Sequence, residues 1–581
     1  METCAPASQQ QQQPAAASAE GGGEEALGER HSLTALLPDE ILQHILQFLE
    51  DKRSLWGAML VCRRWNACCD QEGHLWYLLH KRWLGGPRQS GTTSWFLSYK
   101  NFLNEMESNK DDKLRWQWAL SNGHVQVVKR HLREDRSKAN EPYRVDGSLP
   151  LILACYKGHS KVVDALLQAG ASVDIPRSVD GATPLFMAAY GNHCEVVKLL
   201  LAAGADHNLQ RTKDGITPLF IACCEGHTAS ARMLLEAGAN PDLKRPSDGA
   251  TPLFMSSCNN HAEMVGLLLQ HGANINVQRF EDGATPLFIA ACNNHFDVVK
   301  LLLEKGAEVD IKRTHDKITP MFVAACKGNA TVVELLLQYG ADVDAIRPED
   351  GASALFMASC NNRVEVAEVL LKAGASLDLK RSTDGITPLY IASCAGSVEA
   401  LAVLLRHKAT VDIPRCSDGA SPLFMASCNG YNKVVELLLE AGADPNFVRT
   451  EDHIGPLFIA ACKGHDVVVK MLLDAGAKID EIRPSDGATS LYMACHNNHP
   501  GVVKILLEYG AKVNLPRTVD LTTPLYIACY QGHKEIVKLL LDGGAYTSSS
   551  MVQTAAKQHP EILDMLNKHC LNNKDNNNNN S

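Results

Sequence analysis

The sequence predicts an all-α chain: a small three-helix module followed by a long solenoid of stacked helix pairs. Three observations lead there. A helical apolar stripe starts just after Pro38. A 34-residue period runs from Asp112 to Asp520. Within each period, two short stretches of helical spacing are separated by a turn. The chain has 581 residues and a formal net charge of −10, with 45% hydrophobic and 21% charged residues, an ordinary folded composition. Mild acidity disfavours a nucleic-acid partner, which needs a clustered basic surface. No stretch of 18 apolar residues suggests a membrane span. The first thirty residues have no apolar h-region, so the reading is a soluble intracellular protein, cytoplasmic or nuclear. Its 19 cysteines then sit in a reducing compartment, without a disulfide framework.

The tails come first. Residues 1–32 are rich in Gln, Ala, Gly and Glu, and residues 571–581 are rich in Asn; both bury too little apolar surface to offset chain entropy and read as disordered. Between them lie a module at 33–84, a linker or extension at 85–111, and the repeat array at 112–570.

The array follows from arithmetic. Asp recurs at 112, 146, 180, 214, 248, 282, 316, 350, 384, 418, 452, 486 and 520. From Arg177 to Arg517, an Arg stands three residues before each mark. After most marks comes a Pro-Leu-aromatic triplet, as in Pro184, Leu185 and Phe186. Asp-Gly favours a tight turn, because Gly accepts positive φ. Thr183 can cap the first helix, with Pro184 at its first position, where a missing N–H costs nothing. Val196, Leu199 and Leu200 give the second helix one apolar stripe, and Gly204 supplies a left-handed stop. Neither helix is long enough to be stable alone, so each unit must stack on its neighbours.

These residues resemble the ankyrin repeat: Asp-Gly-x-Thr-Pro-Leu, then Gly-His (Gly226–His227, Gly464–His465), then Val-Val-x-Leu-Leu-Leu, then Gly-Ala. The resemblance implies an ankyrin α-solenoid of about fourteen units. It departs in two ways: the period is 34, and the family's His after Pro-Leu is Phe or Tyr here, from Phe186 to Tyr526. The terminal units, near 112–145 and 547–570, lack the Thr-Pro-Leu signature and read as polar caps.

The N-terminal module reads Leu36-Leu37-Pro38-Asp39-Glu40-Ile41-Leu42, then Leu60-Val61-Cys62-Arg63-Arg64-Trp65, then Leu75-Trp76. In that order these three elements resemble the F-box, with Trp95 and Tyr99 similar to a tail that often follows one. The resemblance implies docking on the Skp adaptor and, through it, on a cullin–RING ubiquitin ligase. By position, Leu37, Pro38, Ile41, Leu42, Ile45, Leu49, Val61, Cys62, Trp65 and Trp76 would contact the adaptor. The alternative is a helical cap packed on the first repeat.

Four columns of the array could be chemistry or packing. Cys224, Cys258, Cys292, Cys326, Cys360, Cys394, Cys428 and Cys462 share one position. Stacked helices lie about 8–10 Å apart and a zinc–sulfur bond is near 2.3 Å, so neighbours cannot share an ion; buried thiols acting as small apolar filler are expected. The recurrent His (159, 227, 465, 533) is expected to serve the turn between the helices. The Arg column could bind an anionic partner, but an Asp travels with every Arg, and a self-neutralising ion-pair ladder accounts for both. The last column follows the aromatic: Met187, Ile221, Met255, Ile289, Val323, Met357, Ile391, Met425, Ile459, Met493 and Ile527. In the ankyrin family this position commonly faces the groove, so these are the candidate target-binding residues; the other reading is packing, with Met beside Ala182 and Ile beside Ile216 as volume compensation. No catalytic motif, cofactor loop or metal-ligand spacing stands out. The implied function is a non-catalytic, substrate-recognising subunit of a ubiquitin ligase, or else a scaffold.

Overall fold

A computed structural model describes residues 112–143 and 148–578. The chain divides into two compact parts, 1–121 and 122–581; the described portion of the first lies in the helix Asp112–Asn122. The second part is an all-helical solenoid. Among the described residues there is no strand, and only two isolated bridges occur, Ile346 with Ser353 and Ile482 with Thr489.

The Asp180 unit shows how the sequence builds one layer. Arg177 N–H donates to Ala182 C=O (2.9 Å) and Gly181 N–H to Arg177 C=O (2.7 Å), closing a tight hairpin with Gly181 at φ +74°. Lys317, His453 and Leu521 hold the same left-handed position without being glycine. Thr183 then accepts the Phe186 N–H (3.1 Å) and caps an inner helix, Pro184–Tyr190. After a short turn an outer helix runs Cys194–Ala202. Gly204, at φ +86°, lets Ala205 N–H reach back to Leu200 C=O, which satisfies the helix end.

Each inner helix lies against the inner helices on both sides and against its own outer helix, so Leu185, Phe186, Val196, Val197 and Leu200 are buried. Leu199, expected on the buried stripe, is half-buried, and Val197 takes its place. The stack ends in Ser550–Ala556 and Pro560–Asn578. That last helix continues into the Asn-rich residues that composition reads as disordered. Ile562 and Leu566 anchor its first turns, and once nucleated a helix extends one hydrogen bond per residue.

Candidate functional site

The adaptor-contacting candidates, Leu37, Pro38, Ile41, Leu42, Ile45, Leu49, Val61, Cys62, Trp65 and Trp76, lie outside the described residues. The target-binding candidates all fall in the array.

Capping fixes the register of each inner helix, and register decides what its residues face. Thr or Ser accepts an N–H at the same point in ten units, from Thr183 to Thr523. The next Leu and aromatic are then directed into the stack. The following residue emerges at the edge of the buried surface. Met187, Val323 and Ile527 are 7% exposed, and the other eight members of the column are half-buried. The column places one apolar residue per unit at or just beneath the edge of the buried surface.

All eleven Arg–Asp pairs form. Arg279 illustrates them: Nε and Nη2 grip Asp282 at 3.0 and 2.9 Å, in a bidentate fork. Asp282 also accepts the Ala284 N–H at 3.0 Å, so one carboxylate holds both the guanidinium and the hairpin. Arg279 Nη1 approaches Asp248 of the preceding unit at 3.6 Å, and its guanidinium carbon sits 5.0 Å from the centre of the Phe254 ring. Nine rungs repeat this stack on the preceding unit's aromatic. This explains why Phe or Tyr replaces the family's His: the ring is a platform for the next unit's Arg. The fork of Arg177 holds the Asp180 carboxyl below its usual range against the opposing effect of burial, and Arg245 does the same for Asp248.

The Asp384–Asp418 junction breaks the pattern. Tyr390 stands on the aromatic column, fully buried, and its hydroxyl has no hydrogen-bond partner. No stack of Arg415 on Tyr390 forms among the described residues.

The cysteine column is corrected. Cys224 through Cys462 at the 34-residue spacing are half-buried, because the inner helix ends there; the fully buried thiols are Cys155, Cys223, Cys495 and Cys529, one residue earlier in the repeat. Burial nonetheless pushes the Cys224, Cys326 and Cys394 thiols up to about 12, so they are protonated at neutral pH.

The His column is corrected as well. The ring reaches beyond its own turn to a carbonyl of the preceding inner helix: His193 Nε2 to Tyr156 O (3.0 Å), His295 to Cys258 O (2.9 Å), His465 to Cys428 O (3.0 Å). Where His is absent, Asn329 and Ser397 bond the same region, to Ala291 O and Cys360 O.

A further ladder escaped the reading of the sequence. Asn or Asp at 174, 208, 242, 276, 310, 344, 378, 412, 446, 480 and 514 carries a side-chain link to the next unit, its oxygen accepting an N–H 32 residues on. Asn208 accepts from Asn240 (2.9 Å), Asp344 from Ser376 (2.9 Å) and Asn446 from Lys478 (2.8 Å). The signal was present as a second 34-residue arithmetic series, offset from the first.

Comparison with known families agrees with this geometry. Models of ankyrin repeats (3 copies) match 116–211, 176–245, 203–279, 219–313, 287–381, 373–449 and 447–517. A model of ankyrin repeats (many copies) matches 497–541, and an F-box-like model matches 34–82. A search of curated proteins returned no match. The chain belongs to the ankyrin-repeat family and carries an F-box-like domain ahead of the array. It is an F-box protein with a protein-interaction role. Among the described residues, no helix is long and apolar enough to cross a membrane.

Proposed function

We propose that this chain is the substrate-recognition subunit of a Skp–cullin–F-box ubiquitin ligase, acting in the cytoplasm or nucleus. The supporting observation is the pairing, on one chain, of an F-box-like domain at 34–82 with an ankyrin array matched from 116 to 541. In this reading Leu37, Pro38, Ile41 and the other F-box residues named above dock on the Skp adaptor. The column from Met187 to Ile527 holds the target. The subunit contributes no reacting group. It raises the effective concentration of target lysines beside the ubiquitin-carrying partner, because two binding sites on one chain make the second encounter intramolecular.

The Arg ladder gives little support to an anion-binding function. Each of the eleven guanidiniums at the 34-residue spacing, Arg177 through Arg517, already faces a carboxylate three residues on. The test is a pull-down of full-length protein and a Leu37→Ala/Pro38→Ala/Ile41→Ala variant, probed for Skp adaptor and cullin. The ligase reading requires wild type to capture both and the variant neither. Capture of adaptor without cullin makes the chain a scaffold; capture of neither makes the N-terminal module a cap.

A further inference from the structure

The ladder of Arg on aromatic ends one rung short. In nine units a guanidinium lies on the ring of the unit before it, its carbon 4.5–5.7 Å from the ring centre. The same Arg reaches back toward that unit's Asp, as Arg313 does to Asp282 (3.9 Å), Arg449 to Asp418 (3.5 Å) and Arg517 to Asp486 (3.1 Å). Beside it the backbone adds a bond: Ser382 N–H donates to Asp350 C=O (2.9 Å), Cys416 N–H to Asp384 C=O (2.8 Å) and Thr518 N–H to Asp486 C=O (2.9 Å). Each unit thus offers the next one a face made of an aromatic ring, a carboxylate and a carbonyl.

The Asp520 unit offers this face to nothing in its own array. The connection that spans 512–522 there shrinks to 546–548 in the last unit, between Ala545 and the N-cap Ser549. Too short to form a hairpin, it carries no Arg, and among the described residues no backbone N–H donates to Asp520 C=O. Every aromatic of the column from Phe186 to Tyr492 is buried, whereas Tyr526 is half-buried. Tyr530 stacks beside it, with ring centres 6.1 Å apart, and is 48% exposed. The Asp520 side chain is 41% exposed, against 9–30% for the other ten carboxylates of the ladder. Arg517 grips it through Nη1 alone (3.2 Å) instead of a fork, while Nη2 turns to Asp486. Asp520 Oδ2 has that single partner among the described residues, and a carboxylate oxygen can accept a second. Leu521, at φ +59° where most units have Gly, is 68% exposed. In eight units a Cβ at that Gly would point at the residue after the next unit's Arg, as at Thr212, Phe280 and Thr518.

We propose that this end face is a receptor for an arginine of the target protein. The guanidinium lies on Tyr526 and donates to Asp520 Oδ2. The N–H of the following residue donates to Asp520 C=O, and that residue's side chain rests on Leu521. The arrangement continues an interface the chain itself builds nine times, with the missing hairpin supplied by the partner. Arg is selected over Lys because a planar guanidinium stacks on a ring and hydrogen-bonds a carboxylate at once. Leu521 in place of Gly favours an apolar neighbour, so the expected target motif is an Arg followed by an apolar residue. The inference rests on the protein-binding role of the array and is independent of the F-box.

The test titrates the full chain, carrying labelled Leu methyl groups, with N-acetyl-arginyl-phenylalanine N-methylamide. Its lysyl and citrullyl counterparts serve as controls, the second keeping the planar shape without the charge. The arginyl probe is expected to shift the Leu521 methyl signals saturably at millimolar concentrations, and both controls to bind about tenfold more weakly. Asp520→Asn keeps an acceptor for the Thr522 N–H, so Tm should hold while the arginyl probe weakens about tenfold. Tyr526→Leu keeps an apolar side chain and should remove the preference for arginyl over lysyl probe. The proposal is overturned if the arginyl probe leaves the Leu521 signals in place, if the lysyl probe binds as tightly, or if Asp520→Asn binds like the parent. Self-association of the parent that Asp520→Asn abolishes, read by sedimentation, would assign the face to a second copy and overturn it as well. Adaptor and cullin capture by the same protein reads the ligase function separately, so failure of the receptor and failure of that function are distinguishable.

Discussion

Replacing Arg279 with Gln removes one complete rung of the ion-pair ladder without opening the core. The guanidinium is 23% exposed and its partner Asp282 19%. Two charge-assisted hydrogen bonds disappear, at 3.0 and 2.9 Å. A hydrogen bond to a charged group contributes about 1.5–3 kcal/mol when well shielded, and partial exposure screens that to about 1–1.5 kcal/mol. Loss of the stack on Phe254 adds about 0.5–1 kcal/mol. The sum is about 2 kcal/mol, or about a 30-fold increase in local opening. Native-state hydrogen exchange reads this directly: amides of the hairpin and inner helix from 279 to 292 should exchange about 30-fold faster, with units several rungs away unchanged. Arg279→Lys keeps the charge but loses the fork and the planar stack, so it should fall between the two. An effect under about twofold for Gln, or a Lys variant equal to the parent, refutes the three-partner account of the ladder.

Other expectations can be checked on the same protein. The folded carboxyls of Asp180, Asp248, Asp350, Asp418 and Asp486 are lowered first by their Arg hydrogen bonds. Their stabilisation is therefore fully present above the unfolded pKa of about 3.9 and is lost as pH falls through the lower folded values; urea midpoints should hold at neutral pH and fall steeply only in acid. Tyr390→Phe removes a buried hydroxyl without a partner and should raise stability by about 1 kcal/mol, seen as a shift in urea midpoint at constant slope. Native thiol labelling followed by mass spectrometry should, among the described cysteines, modify exposed Cys416 first, with Cys224, Cys326 and Cys394, held near 12, lagging well behind.

The period, the hairpin, the Thr cap, the Pro start and the Gly stop were legible because each is a local event, written within a few consecutive residues. Interactions between units were harder to see. His193 looks like a turn residue until Tyr156 of the unit before it is placed beside it. Phe186 looks like an unexplained departure until Arg211, 25 residues on, covers its face. Both relations recur in the sequence, but reading one repeat at a time hides them.

The Asn and Asp ladder has a mechanical corollary. Asn208 ties its loop to residue 240, and residue 242 ties the next loop to 274; each tie reaches the adjoining unit and no further. A chain fastened this way has no single bolt whose removal frees the whole. Under tension from one end, as when a protease or unfoldase draws the chain in, it should yield in regular steps. Each released unit of 34 residues adds about 120 Å of extended chain, while the units behind it stay closed. The array would then behave as a ratcheted spring, shortening its folded length one rung at a time and, below the yielding force, re-forming in the reverse order.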